Sequence, residues 1–131
     1  MSKRSVSKID TVLDIGSTDV IKCELKRHLS PKAVGQITRA LPLVGNAHVL
    51  GKSAVYFETS IESGIERGTN IFKKGDIGFL PVGKIICFFH SDVKLGKTMT
   101  LIGKIIANVE KLSSVSSGTE LKFYYDSGAY T

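Results

Sequence analysis

His90-Ser91-Asp92 sets a base, a hydroxyl nucleophile and an acid side by side. A working triad draws its members from separate elements so that they converge in space, and three consecutive residues do not converge that way. His90 therefore reads as a hydrogen-bonding group at the rim of a pocket. His28 and His48 have no metal-ligand spacing with it, and neither a CxxC nor an HExxH string occurs. No metal and no cofactor are expected. Gly51-Lys52-Ser53 and Gly96-Lys97-Thr98 each carry the end of a phosphate loop. Such a loop also needs a glycine five residues earlier, so that backbone amides can wrap the phosphates. Those positions hold Asn46 and Ser91, so both strings read as ordinary turns.

The elements that must position these groups are short. Thr11–Ile15 and Val20–Leu25 read as strands of an opening hairpin, joined by the turn Gly16-Ser17-Thr18-Asp19. Ser30-Pro31 opens a helix, with Ser30 as N-cap and Pro31 in the first turn. Val34, Ile37 and Leu41 continue it at helical spacing, and Pro42 stops it. His48–Leu50 is a short extended piece and Ala54–Thr59 a strand. Ser60–Lys74 is a long connection with a short strand near Asn70–Phe72. Ile77–Leu80 follows Gly75-Asp76. The unbroken apolar run Ile85–Phe89 predicts a strand buried on both faces. His90–Lys97 is a polar loop, Thr98–Ile105 a strand, Ala107–Leu112 a second helix and Leu121–Tyr125 the last strand. Seven or eight strands and two helices that do not alternate with them argue for a closed antiparallel barrel capped by two helices.

Composition supports one globular domain. The chain has 131 residues, 42% of them hydrophobic, with a net charge of +6. Lys3, Arg4 and Lys8 put part of that charge into the first eight residues, which contain no acid. Residues 1–8 read as a solvated, disordered basic tail and 9–131 as the single domain. No dense basic patch interleaved with aromatics appears elsewhere, which argues against nucleic-acid binding. The longest apolar run, Ile85–Phe89, is far short of a membrane span. No apolar segment follows the basic start, so a cytoplasmic location is expected. Cys23 and Cys87 then read as buried thiols.

Three segments carry a family resemblance. Leu29–Leu41 has a Ser-Pro start and an amphipathic helix. Gly75–Phe89 reads GDIGFLPVGKIICFF. Gly96–Leu112 runs through a loop, the strand end Ile102-Gly103-Lys104 and a helix. Together they resemble the cyclophilins, and more closely the small bacterial and archaeal cyclophilin-like proteins of unassigned function. The resemblance implies a cyclophilin-like barrel of about eight strands with a binding groove on its outer face. It also implies a test for activity. In cyclophilins an arginine donates to the prolyl amide nitrogen and lowers a rotation barrier of about 18–20 kcal/mol. The matching strand here, Ala54–Thr59, has no basic residue, and the chain has no tryptophan. Isomerase chemistry is therefore not expected.

Within that groove the candidate ligand-binding residues are Tyr56, Glu58, Phe79, Phe88 and His90. Aromatics of the outward parity would contact a ligand, and Glu58 would recognise a cationic or amide group. No catalytic residue is assigned. The leading reading is a barrel that binds a small molecule or peptide. A second is an enzyme of unknown reaction, residual prolyl isomerisation included, using Glu58 and His90 as acid–base groups. A third is a homo-oligomer built through an exposed strand edge.

Overall fold

The computed structural model describes residues 8–126. The expected tail falls outside them except for Lys8, which opens a strand and pairs with Glu24 at 3.3 Å. Among these residues ten strands form one antiparallel sheet: β1 Lys8–Ile15, β2 Asp19–Lys26, β3 Leu43–Asn46, β4 His48–Leu50, β5 Ala54–Glu58, β6 Gly68–Phe72, β7 Asp76–Leu80, β8 Ile85–Phe89, β9 Val93–Ala107 and β10 Glu120–Tyr125. Among the described residues the one α-helix, α1, spans Pro31–Ala40. The ladder runs β3-β10-β1-β2-β9-β7-β8-β5-β4, and β6 pairs with β9 beside that path.

The sheet is not closed into a barrel, which corrects the expectation from the sequence. Its two ends, β3 and β4, are consecutive in the chain and separated by Ala47 alone. One segment thus pairs with β10 through its first half and with β5 through its second. Neighbouring stretches of a single extended segment cannot hydrogen-bond to each other, so no ladder closes the circle. Ala47 is fixed at the junction: its N–H donates to Thr119 O at 2.7 Å and its carbonyl accepts from Gly118 N at 2.8 Å.

Strand β9 was expected to begin at Thr98, yet it extends through most of the anticipated polar loop. Val93 and Lys94 pair with β6, while its second half pairs with both β7 and β2. Irregular registers on those ladders bend the strand, as bulges do. At Gly103 it passes very close to β2. A Cβ there would collide with Glu24 O and lie 3.0 Å from Leu25 Cα. Only glycine permits this approach.

Helix α1 ends where Pro42 requires, with Leu41 already extended. Its N-terminus differs from the sequence reading. Ser30 makes no side-chain cap; its buried hydroxyl donates instead to Leu101 O of β9. Glu66 takes over, its carboxylate accepting from Lys32 N at 3.1 Å and Ala33 N at 2.8 Å. A carboxylate serves two orphan donors and the positive helix end at once. The expected second α-helix is a 3₁₀ turn, Val109–Ser114. The hydroxyls of Ser113 and Ser114 bond back to Glu110 O and Lys111 O, a local competition that favours short turns over helix.

The sheet buries both faces. The larger core holds Leu13, Ile21, Phe57, Phe79, Phe88 and Phe123, with Val34 and Ile37 of α1 packed into it. A second core on the opposite face gathers Ala54, Phe72, Leu80, Cys87, Phe89 and Met99. Strand β8 supplies both: Ile86 and Phe88 point one way, Cys87 and Phe89 the other. This is the two-sided burial its continuous apolar run predicts.

Two outcomes follow for stability. Gly103→Ala should lower the unfolding free energy by at least ~2 kcal/mol, because the obstacle is backbone and cannot rotate away; a lowered urea midpoint at unchanged slope would show it. Glu66→Ala should cost about 1 kcal/mol through loss of the cap, read in the same denaturation experiment.

Candidate functional site

Strand β6 covers only part of the second core. Phe72 stacks on Phe89 with ring centroids 4.4 Å apart, and it lies over Gly78, where a Cβ would meet its ring at 3.1 Å. The uncovered remainder of that face is a cleft of about 270 Å³. Its floor is Leu80, Ile85, Cys87 and Met99, and its walls are Leu50, Tyr56 and Leu95. Gly96 and Lys97 form the rim, where Lys97 is the only charged side chain in the lining.

Register explains this grouping. Residues directly opposed in an antiparallel ladder share a face. Tyr56 opposes Cys87, and Leu80 opposes Ile85. His48 opposes Tyr56 from β4 and stacks on its ring, with centroids 5.1 Å apart. The phenol is thus held at the cleft wall by a neighbour on the adjacent strand.

Of the five residues expected in a groove, the structure places only Tyr56 in this lining. Phe79 and Phe88 are fully buried in the larger core, one residue out of parity with the cleft. Their neighbours Leu80 and Cys87 occupy the cleft face instead. Glu58 is solvent-exposed and opposes Ile85 at one end of the β5–β8 ladder. His90 follows Phe89 at the other end, and its backbone N–H donates to Ser53 O at 2.7 Å. The two groups of the acid–base reading are therefore held at opposite ends of one ladder. Asp92 accepts from Lys74 N at 2.8 Å, so its carboxylate braces the turn at Lys73-Lys74.

Sequence reasoning missed Leu50, Leu80, Ile85, Cys87, Leu95 and Met99. A parity argument from Tyr56 could have found Cys87 once β5 and β8 were paired. Leu95 and Met99 carry no such signal, because they lie in the segment that reads as a loop and the start of a strand.

Electrostatically the cleft is quiet. Burial pushes the Cys87 thiol up to about 12, and that of Cys23 higher still. Both cysteines are free and buried. Each stays a protonated, unreactive thiol at neutral pH. Among the described residues, no three His, Cys, Asp or Glu side chains gather as metal ligands. No helix among them is long and apolar enough to cross a membrane. Partial burial lowers the His90 pKa from 6.5, since the charged form loses solvation.

A lowered folded pKa means that His90 resists protonation in the native state. Its contribution is complete above its ordinary value and is lost as pH falls through the lowered one. Unfolding free energy measured from neutral pH into the acid range should fall more for the natural chain than for His90→Gln. Parallel curves would refute this.

The comparisons agree with this architecture. A family model described as Cyclophilin-like matches residues 9–124. No curated protein matches the chain. A hypothetical protein from Archaeoglobus fulgidus, known from its solution structure, is similar at 26% identity and a TM-score of 0.77. The alignment covers 96% of this chain and 100% of that one.

Proposed function

The chain belongs to the cyclophilin-like family, and from that premise we propose that it is a binding protein without isomerase activity that takes a small apolar molecule into the cleft beside Tyr56. The observation that carries this reading is the lining itself: seven side chains that are apolar or, like Tyr56, largely so, with no arginine among them. The size favours a small molecule over a peptide. About 270 Å³ lies just below the range of ~300–1,000 Å³ usual for ligand pockets.

Isomerisation asks for a strong donor held against the prolyl nitrogen in a dry site. Lys97 is the cation within reach of this cleft, and it is exposed at the rim. An ammonium in open water adds little to a transition state, because solvent screens it. Tyr56 supplies a single hydroxyl that can orient a polar group on a bound ligand.

A blocking variant tests the assignment. A Cβ at Gly96 would meet nothing within 4 Å, so Gly96→Trp can place an indole across the mouth without disturbing the backbone. The neutral probe N-phenyl-1-naphthylamine should bind the natural chain saturably, with fluorescence enhancement. Gly96→Trp should weaken it at least ~10-fold, equal to about 1.4 kcal/mol. Equal binding by both proteins would remove the cleft from consideration. Acceleration of a prolyl test peptide at cyclophilin-like rates would overturn the non-isomerase reading.

A further inference from the structure

Gly96-Lys97-Thr98, a string that reads as a turn in the sequence, lies within strand β9. Along this strand Val93, Leu95, Met99 and Leu101 pack on the second core. Alternate residues of a strand share a face. Lys97 holds the middle place of that series, where the pattern calls for another apolar side chain. It lines the cleft at Tyr56 together with Leu95 and Met99. A lysine on an apolar wall lays its stem along the wall and turns its ammonium to water, and Lys97 is exposed accordingly.

Among the described residues the Lys97 ammonium has no ion-pair partner, in contrast to Lys8, Lys22, Lys84, Lys104 and Lys111. The Tyr56 hydroxyl has no hydrogen-bond partner among them either. Glu58 shares the sheet face of Tyr56 and Ile85 but stands outside the lining, which holds no carboxylate. The cleft thus offers apolar contact, two groups that donate hydrogen bonds and one positive charge. Its complement is a small molecule with an apolar body and one anionic end. A doubly charged head would leave one of its charges unmatched.

We propose that the ligand of this cleft is a small monocarboxylic acid, its apolar body on the floor and its carboxylate at Lys97; this rests on the reading of that cleft as the binding site. Solvent screening denies Lys97 a part in catalysis but leaves it a part in selection, where an exposed pair gives a preference of a few fold.

Hydrocinnamate and its neutral amide, hydrocinnamamide, share one body and differ in charge. Each should be titrated at neutral pH against N-phenyl-1-naphthylamine bound to the full chain, and the ratio of their displacement affinities taken. The acid should displace the probe at least ~3-fold more tightly than the amide. Raising the salt from ~0.01 M to ~1 M should bring the ratio towards one, because the screening length falls from ~30 Å to ~3 Å. This measurement needs no variant. Lys97→Gln should bring the ratio towards one at low salt, and Lys97→Glu should reverse the preference. A ratio taken within one protein cancels any small change in the shape of its cleft. If the naphthylamine does not bind the natural chain, the binding cleft and this ligand class fall together. If it binds and the acid and amide displace it equally, the cleft stands and the carboxylate is ruled out. A preference that salt does not erode, or that survives in Lys97→Gln, would also overturn the proposal.

Discussion

The backbone of β9 lies against that of β2 at Gly103, too close for any side chain. The flanking residues use this contact. Ile102 enters the larger core, and Lys104 opposes Glu24 on β2 and Asp76 on β7. The Lys104 ammonium sits 2.9 Å from Asp76 Oδ1, and the other oxygen of Asp76 accepts from Lys73 N at 2.8 Å. Three residues thus bring β2, β7 and the turn before β7 to one place. Half the ladder lies on each side of β9. Were β9 held off by a methyl group, both halves would lose their common member.

The cleft beside Tyr56 follows from how faces are covered. Strands β5, β7 and β8 are apolar on both sides, so burying one face leaves the other to be covered. Strand β6 and Phe72 do this only in part. What remains is a patch of leucine, isoleucine and methionine with a tyrosine at its wall. An exposed apolar surface costs solvation free energy until something fills it. The ligand reading rests on that physical deficit, since a family fold alone does not carry an activity.

Much of the fold was legible, for definite reasons. The apolar run Ile85–Phe89 could be satisfied only by two covered faces, and Pro31 and Pro42 bracket the helix. The missing closure was not legible, since periodicity shows that strands form and says nothing of which edges meet. The length of β9 was hidden by Lys94, Gly96 and Lys97, whose polarity reads as loop although their backbones are extended. The cap by Glu66 depends on a contact between residues 33 apart, which local pattern does not encode. The site was half legible. Tyr56 was visible in the string and lies in the cleft lining, whereas the inward turn of Phe79 and Phe88 depended on a register no local signal sets.

Ala47 has a consequence for how this architecture tolerates change in length. A lone residue carries the chain from the last rung of one flank to the first rung of the other. Inserting even one more there would shift the alternation of everything on one side relative to its partner, turning inward residues outward. Variation in size must then be absorbed elsewhere, most readily between β5 and β6, where nine residues already run without a strand. The molecule behaves as a belt whose buckle admits no extra hole and whose slack lies in the longer connections between strands.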